Sequence, residues 1–483
     1  MLDQSQTPYA DAVAHYASHD WLRFSTPGHQ VSQTAQPELT EFLGRRVLAE
    51  DVQPFVDGID YGPSDPLSQS LALAAQAWGA RKTWFLTNGA SKGNLMACLA
   101  MRNFGTEIVV QRSVHSSVID GLALSGLDAT FVYPSVVDSL GIANGVTPEA
   151  LADALDQTPH AVAAYVVTPS YFGAVADVAA LADLAHSRGI PLIVDEAWGA
   201  HFGFHPDLPT NANRLGADLV ISSTHKLGGS LTQSAMLHLS HGPFADSLEP
   251  LLDRAFKSMQ STSASALLQA SLDLARKQLA HEGLTKIGTT IAAADALRAG
   301  IAKEERFSNV YDVIANYPDV MTVDPLRISL DMQSGGISGH QARSILFHEH
   351  HMHCEMATST TLVMLLGAGT QPDVHRTLSA LSALPQINQG KSALLQLPAT
   401  GERVMSVRDA YFATTEVVDA QSAIGRVSAD SVAAYPPGIP NLLPGELITS
   451  STVEFLQATM AEPFGHVRGG SSTDMSTFRV VAN

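Results

Sequence analysis

Pro191-Leu192-Ile193-Val194-Asp195-Glu196-Ala197-Trp198-Gly199-Ala200-His201, followed by Asp218-Leu219-Val220-Ile221-Ser222-Ser223-Thr224-His225-Lys226, are the two stretches that decide the fold. Each is a short apolar run that ends abruptly in polar residues. The first ends in a carboxylate, the second in hydroxyls, a histidine and a lysine. Leu, Ile and Val unbroken by polar residues read as a strand buried on both faces. Thr83 to Leu86, Glu107 to Val110 and Ala161 to Val167 read the same way, and segments such as Val178 to Arg188 carry helical spacing between them. Buried strands alternating with helices predict an α/β fold with a mostly parallel sheet covered on both sides. In such a sheet, ligands sit beyond the C-terminal strand ends. Asp195 and Lys226 are therefore expected on one rim.

Working outward, residues 70–295 read as a large domain preceded by an N-terminal segment, 1–69. Residues 296–401 read as a smaller α+β domain, with strands at Met321 to Val323, Arg327 to Leu330 and Leu362 to Leu366. Residues 402–483 form a C-terminal segment. It holds an expected helix, Val407 to Val417, and a Pro/Gly-rich stretch, Tyr435 to Glu446, that cannot be helical.

Hydrophobic residues at 45% and charged residues at 16% suit a well-buried globular chain. A net charge of −19 without any basic run argues against a nucleic-acid partner. No apolar run approaches the roughly 18–20 residues that span a bilayer, so no membrane partner is expected. Cys98 and Cys354 lie far apart and build neither a disulfide framework nor a paired-cysteine metal motif. A reducing, cytoplasmic setting is expected. Met1 to Pro8 lacks the features of a signal peptide.

A strand-terminal acid and a strand-terminal lysine on one rim match the needs of pyridoxal phosphate. That cofactor takes a lysine amine on its aldehyde carbon and a carboxylate against its ring nitrogen. Its phosphate needs N–H and O–H donors. Asn88-Gly89-Ala90-Ser91 follows the strand Thr83 to Leu86 and opens a helix (Asn94 to Met101), where free N–H groups and the helix dipole favour an anion. Each piece alone has a structural reading: a cap, a solvated lysine, a turn. The three together, in this order on one sheet, point to the cofactor. No Gly-x-Gly-x-x-Gly follows the first strand, which disfavours a dinucleotide site. His348 to Glu355 crowds metal-capable side chains into one short segment. Neighbours so close cannot all face one ion, so no metal is expected, only a polar junction on the small domain.

Further motifs run through the chain in order. They are Thr26-Pro27-Gly28-His29, Asn88 to Ser91, Arg112-Ser113-Val114-His115-Ser116-Ser117, Thr168 to Gly173, Asp195 to His201, Ser223 to Lys226, Tyr435 to Pro440, and Pro444-Gly445-Glu446. Carrying these, the chain resembles the Orn/Lys/Arg decarboxylase family over nearly its full length, in its short, biosynthetic, arginine-decarboxylase-like form. The resemblance implies fold type I (aspartate-aminotransferase-like), pyridoxal 5'-phosphate, and conversion of arginine, lysine or ornithine to the amine and carbon dioxide. It implies that Lys226 carries the cofactor as a Schiff base and that Asp195 meets the ring nitrogen. Ala197 and His115 would face the two sides of the ring. Gly89, Ala90, Ser91, Ser223 and His225 would hold the phosphate or its approach. Lys226 or His225 would return a proton. Glu446 would reach the substrate. Asp60 and Asp65 are the other acids in reach of that role by sequence, though both read more simply as surface loop residues. His29 would border a site in a homodimer or larger assembly. Three positions depart from the family pattern: Ala90 stands where Thr is usual, and Ser116 and Gln30 stand where Lys is usual. Another reaction of the same fold, transamination or β-elimination, stays open.

Overall fold

Residues 2–32, 36–62, 65–386, 400–434, 439–462 and 465–482 are described in a computed structural model of the chain. Seven strands make the central sheet: β1 (Ala80–Leu86), β2 (Glu107–Gln111), β3 (Asp128–Val132), β4 (Ala161–Val167), β5 (Leu192–Asp195), β6 (Leu219–Ser222) and β7 (Ala235–Ser240). Their order across the sheet is β1-β7-β6-β5-β4-β2-β3. Strands β2 to β6 are mutually parallel, and β7 runs antiparallel to both its neighbours.

The unbroken apolar runs have a physical cause. Ile193 of β5 lies in one core with Ile108, Tyr165 and Ile221, beneath helices Gly89–Met101, Ser116–Ser125 and Ala245–Met259. Its neighbours Leu192 and Val194 lie in another core with Val109, Ala164 and Val220, beneath helices Pro148–Gln157 and Val178–Ser187. Successive strand side chains point to opposite faces, so both must be apolar. Asp195 pairs with Val167 of β4 and with Ile221 of β6. The three strands therefore end level, and the segments that follow them share one rim.

Several elements differ from expectation, among them β3, which pairs with β2 at the edge of the sheet and was not among the expected strands. The expected strands did not include β7, which brings His238 into the interior, where it bonds Thr83 at 2.8 Å and Ser222 at 3.2 Å. The helix expected from Val407 to Val417 stops at Phe412, and Thr415–Asp419 is a strand paired with Thr477–Val481. Thr414, Thr415, Val417 and Val418 are β-branched and favour extended backbone once a partner strand is present. The partner lies far along the chain, beyond the reach of local periodicity. Tyr435 to Gly438 fall outside the described residues.

Helix Ala266–Glu304 leads from the large unit toward the small one, and the expected boundary at 295 falls inside it. The small unit carries an antiparallel sheet, Ser308–Asn309, Arg327–Asp331, Thr361–Leu365 and Met356–Ala357. The C-terminal segment is fastened to the large unit by a buried ion pair. Arg112 reaches Glu446 at 3.1 Å and donates to the Pro440 carbonyl at 2.7 Å. Removing one partner strands a charge in the interior. Glu446→Ala is expected to cost about 3–5 kcal/mol of stability, with Arg112→Met/Glu446→Leu recovering most of it. Urea unfolding of the three proteins checks this. A single variant as stable as the parent would contradict it.

Candidate active site

Asp195 closes β5 on the face that carries Ile193, so its side chain turns toward helix Gly89–Met101. It is buried, with Oδ1 accepting from the Ala197 N–H at 3.0 Å and Oδ2 from the Asn94 amide at 3.1 Å. Its neighbour Glu196 accepts one N–H, from Ala212 at 2.9 Å. Burial pushes the Glu196 carboxyl well above the usual carboxylate range, against that single opposing bond. Of these adjacent acids, Asp195 is the one whose charge acts on both Lys226 and His115.

Lys226 lies in the helical turn Thr224–Leu227 just after β6. Its Nζ sits 3.7 Å from the centre of the Trp198 ring. Among the described residues it makes no hydrogen bond. Burial pushes the amine down to about 8, Arg327 adds to this, and Asp195 and Glu355 oppose it. The face of an aromatic ring attracts a cation but accepts no proton.

Arg327, the first residue of its small-unit strand, meets the same indole. Its Cζ lies 4.7 Å from the ring centre, and its N–H groups donate to the carbonyls of Ser170 at 3.3 Å, Tyr171 at 2.6 Å and Trp198 at 3.2 Å. Asp324 stands 3.5 Å from Arg327 and 3.1 Å from the buried His201. Burial pushes the Asp324 carboxyl up, but His201, Arg327 and the Leu326 N–H together hold it below the usual range. Small-unit charges thus lock onto loops that leave the sheet.

His115 caps helix Ser116–Ser125, its Nδ1 accepting from the Ser117 N–H at 3.2 Å and contacting the Ser117 hydroxyl at 2.8 Å. Burial pushes the ring toward neutrality; Asp195 opposes, and Lys226 and Arg468 reinforce. His225 points Nδ1 at the Ser234 carbonyl, 2.9 Å away, so Nδ1 carries the hydrogen. Burial lowers its basicity as well. The neutral ring then offers Nε2 as an acceptor, not as a proton donor.

The expected phosphate turn starts helix Gly89–Met101, with Gly89 at φ +81°, a conformation that suits glycine. Asn88 does not cap this helix, because its side chain accepts instead from the Ser261 N–H at 2.9 Å. The first N–H groups, through Gly89, Ala90 and Ser91, are left without that cap. Ser223 likewise makes no capping bond to its own turn. Gly89 adjoins Gln233, next in sequence to the residue that His225 contacts.

The chain thus gathers Lys226, Asp195, Ala197, His115 and Trp198, while four residues considered for the substrate are engaged elsewhere. Glu446 is held by Arg112 and by the Leu443 N–H, and His29 faces Asp51 at 3.3 Å within the N-terminal segment. Asp60 accepts from Phe55 and Val56, and Asp65 caps the helix that follows it. Sequence reading missed Asn94, Trp198, Arg327 and Glu355 as site residues. Glu355 stands in the histidine-rich junction, exposed, with its charge acting on Lys226, His225 and Arg327. An acid in that crowded junction was the available signal, masked by the metal question.

Comparison with known proteins closes the assignment. Residues 7–322 match the Orn/Lys/Arg decarboxylase major domain, and residues 392–469 match the C-terminal domain of the same family. An arginine decarboxylase of Bacillus anthracis is 33% identical over 99% of this chain and 98% of its own length. One from Bacillus subtilis is 33% identical over 94% of each. The lysine decarboxylase of Francisella novicida superposes with a TM-score of 0.82 at 19% identity, covering 99% of this chain and 81% of that one. The ureidoglycine-glyoxylate aminotransferase of Bacillus subtilis superposes at 0.53 and 15% identity, over 68% of this chain and 86% of its own. The fold is the expected type I, aspartate-aminotransferase-like one, and the chain belongs to the Orn/Lys/Arg decarboxylase family.

Proposed function

We propose that this chain holds pyridoxal phosphate on Lys226 and decarboxylates a basic amino acid to its amine. The observation that carries the reading is a half-buried lysine whose amine, withdrawn from water and without a hydrogen bond among the described residues, shares a strand rim with a buried carboxylate. The residues present fit the cofactor. Lys226 supplies an amine pushed down to about 8, so a useful fraction is unprotonated near neutral pH. Asp195 would hold a proton on the ring nitrogen, and His115 and Ala197 would flank the ring. The open N–H groups of Gly89, Ala90 and Ser91, with Ser223 and His225, would receive the phosphate. When bound, pyridoxal phosphate supplies a sink for the electron pair left as a Cα–carboxylate bond breaks.

The protein's own groups do the rest. Lys226 returns a proton to the substrate carbon, a role better suited to it than to His225, whose free nitrogen is an acceptor. Arg327 spends its donors on three main-chain carbonyls. Both terminal nitrogens are thus engaged by the protein and Nε is turned to Asp324, which favours loss of a carboxylate over the tight gripping a transaminase needs. Glu355, exposed and with its charge acting on Lys226 and Arg327, is the acid we assign to the distal cation of the substrate. The working form is a cytoplasmic homodimer or larger assembly. Exposed Leu22, Phe24, Phe42 and Phe55 on the N-terminal segment support a covering second copy.

Borohydride treatment after cofactor loading is expected to fix the label on Lys226. The loaded chain is expected to release carbon dioxide from at least one of arginine, lysine and ornithine, with Lys226→Ala inert. Label found on another lysine would end the proposal. Acylation of Lys226 in the cofactor-free chain should follow a midpoint near pH 8, moving upward in Arg327→Met because a neighbouring positive charge is gone. A midpoint in the range of an ordinary lysine would contradict the buried environment. Glu355→Gln should raise KM for the basic substrate roughly 10- to 150-fold, from about 1.5–3 kcal/mol of lost charged hydrogen bonding, with kcat little changed. An unchanged KM would remove Glu355 from substrate recognition.

A further inference from the structure

Asn94 sits inside the protein, 1% exposed, on the helix that opens with the phosphate turn. Its carboxamide has three partners. The amide nitrogen lies 3.1 Å from Asp195 Oδ2 and 2.9 Å from Ser117 Oγ, and the amide oxygen lies 2.9 Å from the Tyr165 hydroxyl. The orientation is forced. A flipped amide would turn its oxygen toward the Asp195 carboxylate, and two acceptors would face each other without a hydrogen. With the nitrogen donating to Ser117 Oγ, the serine's own hydrogen is free to go on to His115 Nδ1, 2.8 Å away. The Ser117 main-chain N–H also points at that nitrogen. His115 Nδ1 therefore receives two hydrogens from its surroundings and carries none. The neutral ring holds its proton on Nε2.

We propose that Asn94 is a positioning residue whose single carboxamide sets the aim of Asp195 and the protonation of His115 together. The inference rests on the cofactor site assigned above. It makes the two groups expected to contact the ring, one at its nitrogen and one on its face, members of one hydrogen-bonded chain: the buried Asp195, Asn94 and Ser117, and the half-buried His115. Such a chain rigidifies its members. Protonating His115 Nδ1 would force the Ser117 hydroxyl to turn, leaving it short of the bond it gives. The charged groups that act on His115 from other elements are Asp195, Lys226 and Arg468. None of them replaces the hydrogen that Ser117 supplies.

The test uses the full, cofactor-free chain labelled with 15N-histidine, with His115 signals identified by their loss in His115→Gln. In the parent, His115 should be neutral with its proton on Nε2. Ser117→Ala should raise the pH at which His115 charges by about one unit, because a bond to the neutral ring is lost; Asn94→Leu should raise it as well, because the Ser117 hydroxyl, no longer held by the Asn94 N–H, is free to turn and accept from a protonated Nδ1. Pyridoxal phosphate affinity should fall about tenfold in Asn94→Leu, which also loses the Asp195 bond, and stay near the parent's in Ser117→Ala. A purely space-filling Asn94 would lower the melting temperature without moving the His115 midpoint. A parental midpoint in both variants overturns the proposal. Should Asn94→Leu fail to fold, Ser117→Ala decides alone. Borohydride labelling of Lys226 in the parent is read separately, so failure of the cofactor reading and failure of the Asn94 chain give different results.

Discussion

A lysine ammonium withdrawn from water must give up its proton or find compensation. Lys226 is caught in that constraint: half-buried after β6, its amine withdrawn from water against the face of Trp198 and attracted by Asp195 across the rim. The compensation is incomplete, and the amine becomes more nucleophilic as a result. Everything around it follows from how the sheet ends. Parallel β4, β5 and β6 stop level, so a carboxylate, an indole and a lysine emerge side by side from segments far apart in sequence. The two faces of the parallel strands β4, β5 and β6 are mostly apolar, and their polar chemistry gathers at the rim.

Holding those groups in place falls to contacts between units. Arg327 fastens the small unit to the loops after β4 and β5, and the Asp324–His201 pair behind it adds a second buried tie. The Arg112–Glu446 pair does the same for the C-terminal segment. Breaking a buried charge pair by removing one member is costly, so these ties fix register between units as firmly as apolar packing does. Asp195 and Glu196 make the contrast at closest range. They are adjacent in sequence but held by different donors, one facing the rim and the other sealed in the core.

Much of the fold was legible because burial on both faces leaves a plain sequence mark. Leu192 to Val194 and Leu219 to Ile221 announce themselves, and Asp195 and Lys226 stand out at their ends. The antiparallel β7 and the strand Thr415–Asp419 did not announce themselves, since their identity comes from partners distant in the chain. The site was legible where a residue's chemistry is unusual for its place, as with a lysine after a buried strand. It was not legible for Asn94, Trp198, Arg327 or Glu355. Their roles depend on what meets them from other elements, and nothing local distinguishes Arg327 from a surface arginine. Glu446 illustrates the converse: a motif residue whose carboxylate the fold commits to Arg112.

The most direct measurement of the central claim is an experimental structure of the chain with pyridoxal phosphate bound. The account requires the cofactor's aldehyde carbon joined to Lys226 Nζ and its ring nitrogen within hydrogen-bond distance of Asp195. A ring seated away from that rim, or an Asp195 turned from its nitrogen, would contradict it.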